Sequence, residues 1–255
     1  MESDQILVDW KEASRLEEIL NLANSRIPFP FLESLCICSP RREFFLDNQS
    51  GDIFHEEELK EIDSVSHPRR KEEKQVGKAL VKALLSQNEE LIRVKPVHFK
   101  VLADSHPVEL HLNQPGSEAK KVLSSLKASI SHSGEYVFAA IANQSIGLDF
   151  EVSRELRKGT VEYFTTEKER KWLDLAIEQD QNPSFCTWDY WGLILFTQKE
   201  ALLKAVGKGI AGGPTQVNLP GLMVGKEFEA SYQERRFQMK TLVSEGGILS
   251  VALEK

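Results

Sequence analysis

Apolar positions recur along this chain at two periods, and the switches between them mark its elements. Over residues 12–24, Leu16, Ile19, Leu20 and Ala23 fall on one stripe at helical spacing, which predicts an amphipathic helix ended by Pro28 and Pro30. From Leu32 to Leu46 the pattern is strand-like but broken by Pro40, Arg41 and Arg42, and the acidic stretch 55–63 suits a loop or a solvated helix. Residues 67–87 give the clearest early helix: Val76, Ala79, Leu80, Ala83 and Leu84 form a narrow apolar face beneath a polar one, which predicts a surface helix. The strongest β signal spans 128–152. Tyr136 to Ala142 is a dense apolar run, Asn143, Gln144 and Ser145 make a turn, and Ile146, Leu148 and Phe150 then alternate with Gly147, Asp149 and Glu151. Strand alternation sends Asp149 and Glu151 to one side, opposite the three apolar residues.

The C-terminal half continues the mixture. A helix is predicted over 166–179 with Thr165 or Thr166 as its cap, followed by a loop holding Pro183. A long helix follows, beginning near Thr187 and stopping at Gly207, where glycine suits a left-handed end. Glu200 and Lys204 stand four apart on it and so face the same way. From Gln216 onward, VNL, KEFEASYQ, RRFQMKTLV and ILSVALEK alternate as a small antiparallel sheet does.

Composition narrows the class. With 255 residues, 41% apolar and 28% charged, the chain has material for one large domain or for two lobes. A net charge of −7 argues against a general affinity for nucleic acid or for anionic membranes. The longest apolar runs, such as Val137 to Ala142, are far shorter than a membrane span, and the acidic opening lacks the form of a secretory signal, so a cytoplasmic protein is expected. Cys36, Cys38 and Cys186 make neither a disulfide framework nor a zinc site and read as reduced structural thiols. His106 and His111 stand five apart, outside the zinc-protease spacing, and read as structural. One segment runs against the overall charge: from Ser66 to Lys82 there are six basic residues and two acidic ones. It suits either an anion site or a solvated helix face.

The candidate chemistry lies in three carboxylates, Asp149, Glu151 and Glu200. If strand and helix meet, two such charges about 5 Å apart repel by about 3 kcal/mol at an effective dielectric near 20. A hard divalent cation with oxygen ligands, Mg²⁺ above all, would neutralise them. Removing one carboxylate is then expected to relieve strain and leave the fold intact. The alternative is a solvent-facing strand edge and an ordinary salt-bridged helix. Spacing leaves both open.

Four motifs in order carry a resemblance: the RRKE-x-x-x-x-G run from Arg69, Ser129-Ile-Ser-His-Ser133, Ile146-Gly-Leu-Asp-Phe-Glu151, and the stretch from Phe196 to Gly209, FTQKEALLKAVGKG. Together they closely resemble the signature of the surfactin-type 4′-phosphopantetheinyl transferases. The resemblance implies an α+β protein built as a pseudo-twofold pair of similar lobes, each a small antiparallel sheet packed against a long helix, here residues 1–143 and 144–255. It implies coenzyme A and Mg²⁺ bound in the cleft between the lobes, with the cation on Asp149, Glu151 and Glu200. Lys204 would reach the same phosphates, Ser131 and His132 would bind coenzyme A with the histidine at a phosphate, and Arg69, Arg70 and Lys74 would be candidates for the 3′-phosphate. Glu200 and Lys204 would be catalytic, the first as a base and the second at the leaving group.

The implied activity moves 4′-phosphopantetheine from coenzyme A to a serine of an acyl, peptidyl or related carrier protein, releasing adenosine 3′,5′-bisphosphate from a monomeric enzyme. A catalytically silent coenzyme A-binding module and another metal-dependent phosphotransferase or hydrolase are the alternatives. The chain departs from the family pattern at Asp104-Ser-His-Pro107, where many relatives have a glycine-lysine-proline loop, and at Phe196, where many begin the third motif with tryptophan.

Overall fold

The computed structural model of the protein describes residues 34–38, 53–103, 108–113, 117–156, 159–179, 187–244 and 247–255. In chain order the elements are β1 (Ser34–Cys38), α1 (Glu56–Asp63), α2 (Pro68–Gln87), β2 (Phe99–Leu102), β3 (Glu109–Leu112), α3 (Ser117–Ser125), β4 (Lys127–Ser133), β5 (Tyr136–Ala142), β6 (Ile146–Glu151), α4 (Thr160–Phe164), α5 (Glu167–Gln179), α6 (Trp188–Val206), β7 (Val217–Asn218), β8 (Glu227–Tyr232), β9 (Arg235–Ser244) and β10 (Gly247–Glu254). Every ladder between these strands is antiparallel, so the protein is α+β. The sheets run β1-β5-β4, β6-β10-β9-β8-β7 and β2-β3. The amphipathic stretch 12–24, the segment Asp104 to Pro107 and Cys186 lie outside the described residues.

Helix α2 begins where Pro68 supplies a preset φ at its first turn. It is not the surface helix that its narrow apolar stripe predicts. Val81 and Leu85 are as buried as Leu80 and Leu84, and Lys78 and Lys82 are almost fully buried too. The reason is α1, the acidic stretch that its composition left undecided. It is a helix, capped by His55 and Glu58 in a reciprocal box, and it covers the flank of α2. Its Glu61 accepts a hydrogen bond from Lys78 at 2.8 Å, and its buried Glu58 pairs with Lys82. The lysine stems extend the apolar surface while their ammonium groups stay paired. The inner face of α2 closes on Val137, Ala139 and Ile141 of β5.

Thr187 caps α6 by accepting the Tyr190 N–H, and Gly207 ends it at φ 85°. For α5 the cap is Thr166, which exchanges hydrogen bonds with Glu169, while Thr165 donates back to Val161. Buried Lys199 of α6 reaches Glu169 at 2.7 Å and the Phe164 carbonyl, tying α6 to α5 and α4.

The turn at Asn143 to Ser145 closes no hairpin. Strand β5 pairs with β1 and β4, whereas β6 leaves for the other sheet and pairs with β10. The two sheets stay together through a shared apolar cluster in which the Phe138 and Phe150 rings stack with centroids 4.3 Å apart. No helix among the described residues is long and apolar enough to cross a membrane.

The last strand is fastened by Arg235, which makes two 2.6 Å hydrogen bonds to Glu254. Those bonds hold the Glu254 carboxyl below its ordinary value. Its stabilisation is therefore complete above about pH 4.5 and is lost as pH falls through the lowered folded-state value. In urea titrations Glu254→Gln is expected to cost up to about 1 kcal/mol at pH 7 and progressively less in acid, the small size reflecting a partly solvated pair. An equal cost at both pH values would contradict it.

Candidate active site

Four elements converge on one cleft of about 600 Å³. From α2 come Arg70, Glu73 and Lys74, from β4 Ser131 and His132, from β6 Asp149 and Glu151, and from α6 Glu200 and Lys204. Arg69 is not part of that lining. Its guanidinium pairs with Glu73 at 2.9 Å and donates to the Gly134 carbonyl, pinning the start of α2 to the β4–β5 hairpin.

Glycine at position 147 permits this convergence. A Cβ there would stand 1.9 Å from the Ala201 carbonyl oxygen and 2.4 Å from the Ala205 nitrogen, so β6 lies directly on the backbone of α6. Two residues along the same strand face, Asp149 meets Lys204, whose Nζ donates to Asp149 Oδ1 at 2.7 Å. The same ammonium stands 3.5 Å from Glu200 Oε1. Serines knit β4 to β6 on the other side: Ser129, Ser131 and Ser133 hydroxyls accept the backbone N–H groups of Leu148, Phe150 and Val152. Ser131 and Ser133 also donate to Asp149 Oδ1 and Glu151 Oε2, each at 2.8 Å.

Asp149, Glu151 and Glu200 are thus brought to one cleft. Among the described residues, however, no three acidic, histidine or cysteine side chains stand close enough to hold an ion as a preformed set. The Lys204 ammonium sits between Asp149 and Glu200 instead. Burial works to raise the Asp149 carboxyl, with Glu200 and Glu151 adding to it, against the pull of the Lys204 ammonium 2.7 Å away. Burial by itself would lower Lys204, but the Asp149 and Glu200 carboxylates outweigh it and hold the lysine above its ordinary value. Asp149 Oδ2 is buried and has no hydrogen-bond partner among the described residues.

On the opposite wall, His132 Nδ1 lies 3.2 Å from Glu73 Oε2, so one carboxylate serves both the imidazole and Arg69. Burial of the ring's inner side lowers its proton affinity, Glu73 opposes that, and Lys204 and Arg69 reinforce it. Lys74 is held by Glu61 of α1 at 2.8 Å. Arg70 lines the cleft and pairs with no carboxylate among the described residues. Of the histidines read as structural, His111 is on β3, half exposed, 3.2 Å from Glu109.

Residues 145–239 match the family model of the 4′-phosphopantetheinyl transferase superfamily. The chain is also similar to the 4′-phosphopantetheinyl transferase gsp of Aneurinibacillus migulanus, with 30% identity over 135 residues, covering 53% of this chain and 46% of that protein. The chain spans a little under half the length of that relative. Within the transferase match lie Asp149, Glu151, Glu200 and Lys204, while Arg70, Lys74, Ser131 and His132 reach the same cleft from outside it.

Several residues that shape the cleft carried little signal in the sequence. Glu73 follows directly on the RRKE run and faces inward, a position the helical period from Arg69 could have flagged. Glu61 offered no such signal, because its partners Lys74 and Lys78 belong to another helix. Ser133 and Gly147 stood inside the motifs, the first marked by alternation with Ser129 and Ser131.

Proposed function

We propose that this protein transfers 4′-phosphopantetheine from coenzyme A to a serine hydroxyl of an acyl, peptidyl or related carrier protein, in a Mg²⁺-dependent reaction that releases adenosine 3′,5′-bisphosphate. The observation that carries the reading is a single cleft that joins basic side chains of α2 to Asp149, Glu200 and Lys204 across the β4–β6 junction. Similarity to a family named for phosphopantetheine transfer supports the group moved. The cleft volume falls within the usual range for small-molecule sites.

The residues fit a hard cation. All three carboxylates offer oxygen donors, and Asp149 Oδ2 is a buried acceptor without a partner. Asp149, Glu151 and Glu200 would hold the ion, which when bound supplies charge neutralisation at the pyrophosphate. Lys204, cationic between Asp149 and Glu200, is placed to stabilise charge on the departing bisphosphate. Arg70, which pairs with no carboxylate among the described residues, is the foremost 3′-phosphate ligand, because a guanidinium matches phosphate oxygens bidentately. Arg69 and Lys74 would contribute to the same positive field. Ser131, held by Asp149 and Lys204, would act through those contacts. Glu200 accepts the proton of the carrier serine as the new Oγ–phosphorus bond forms and the pyrophosphate oxygen leaves.

A two-lobe organisation, residues 1–143 and 144–255 with a pseudo-twofold relation, belongs to this reading. The pairing of α2 with the β1-β5-β4 sheet and of α6 with the β6-to-β7 sheet supports it. A monomeric state and a cytoplasmic setting are part of the same proposal.

His132→Ala is expected to raise the Michaelis constant for coenzyme A about tenfold with a smaller effect on kcat, a phosphate contact being worth about 1.5 kcal/mol or more. Steady-state kinetics would show an unchanged constant if His132 does not touch the substrate. To test the function itself, the protein is incubated with coenzyme A, Mg²⁺ and a panel of apo carrier domains, and the carriers are weighed. A gain of one phosphopantetheine on a carrier is expected. No gain on any carrier beside a working control transferase contradicts it; coenzyme A binding without transfer would favour a silent binding module.

A further inference from the structure

The serines of β4 differ in one respect. All three accept a backbone N–H from the strand beside them, at 3.0 Å from Leu148 and 3.2 Å from Phe150 and Val152. A hydroxyl has one proton and two lone pairs, so accepting that N–H leaves its proton to be aimed. Ser133 aims it at Glu151 Oε2, 2.8 Å away. Among the described residues Ser129 has no carboxylate to aim at, and its hydroxyl receives the Leu148 N–H alone.

We infer that Ser133 is a positioning residue that orients the Glu151 carboxylate toward a divalent cation in the cleft. The inference rests on the cation reading proposed above. The Val152 N–H fixes the hydroxyl, the hydroxyl fixes one oxygen of Glu151, and the side chain is thereby joined to the backbone of its own strand. A free glutamate side chain carries about 1.5 to 2 kcal/mol of rotamer entropy, which this link removes before any ion arrives. Arg154 does not do the same. It approaches both Glu151 oxygens at 3.3 Å from an exposed position. The independent sign that the cleft takes a cation is Asp149 Oδ2, buried and unpartnered on the same strand face. Partners of this kind, one step removed from the ion, typically change metal affinity by about 10- to 100-fold when lost.

Ser129→Ala and Ser133→Ala form a matched pair, since each deletes one hydroxyl and strands one backbone N–H. Mn²⁺ binding, followed by electron paramagnetic resonance with and without coenzyme A, reads the ion directly and needs no carrier. Ser133→Ala is expected to weaken Mn²⁺ about tenfold, with Ser133→Thr restoring it. Ser129→Ala should lower the melting temperature and leave Mn²⁺ affinity within about twofold of the parent, the result expected of a purely structural loss. Mn²⁺ affinity unchanged in Ser133→Ala, or weakened equally in both variants, overturns the positioning role alone. Failure of the parent protein to bind Mn²⁺ even with coenzyme A would overturn it together with the cation reading.

Discussion

Asp149→Ala is expected to lower transfer by about 10³-fold and to destabilise the fold by up to about 3 kcal/mol, the low end for a broken buried pair because Glu200 still stands 3.5 Å from Lys204. The second half of that result reverses what three neighbouring carboxylates suggest when read by spacing alone, where removing one should relieve repulsion. The structure places the Lys204 ammonium between Asp149 and Glu200, and Lys204 and Asp149 are both buried. Deleting Asp149 leaves that ammonium without its 2.7 Å partner and leaves Ser131 without its 2.8 Å acceptor. Breaking a buried pair from one side costs far more than the pair contributes net, because the surviving charge has been taken from water. Asp149→Asn keeps the shape and an acceptor for Lys204, so it should recover part of the stability and none of the activity. Urea denaturation followed by circular dichroism, beside the carrier assay, separates the two effects. An Asp149→Ala protein as stable as the parent would mean that the lysine is not held there.

Gly147→Ala should cost about 3 kcal/mol or more, from a single methyl group. Both atoms it would strike, the Ala201 carbonyl oxygen and the Ala205 nitrogen, belong to the α6 backbone, so no side chain can rotate out of the way. The strand must lift off the helix, and Asp149 lifts with it. Activity should therefore fall with stability, and lowering the temperature to refold the variant should not restore it fully. Gly221→Ala is the control: nothing lies within 4 Å of a Cβ there, and its effect should stay within about 0.5 kcal/mol. A Gly147→Ala protein with the parent's stability would show that β6 and α6 are not in backbone contact.

What was legible in the sequence was whatever depends on near neighbours. The long helix from Thr187 to Gly207 announced itself through its cap and its glycine stop, and the C-terminal sheet through its alternation. The candidate site residues could be named because the order of the motifs resembles that of a family. What stayed hidden depends on partners distant in the chain. Lys78 and Lys82 read as a solvated face until α1 covers them with Glu61 and Glu58. The Asn143 to Ser145 turn reads as a hairpin, yet its strands enter different sheets, because β10, about a hundred residues later, is the partner of β6. The carboxylates could be foreseen together, but not that an ammonium from their own motif would sit among them. Charge repulsion between like groups says that a cation is needed and does not say which one.

The most direct test is a crystal structure of the protein with coenzyme A and Mg²⁺. The pyrophosphate is expected beside Lys204, the 3′-phosphate against Arg70, and the ion at Asp149, Glu151 and Glu200. Coenzyme A bound outside the cleft, or bound within it with Asp149 still turned wholly to Lys204 and no ion at the carboxylates, would overturn the proposed function.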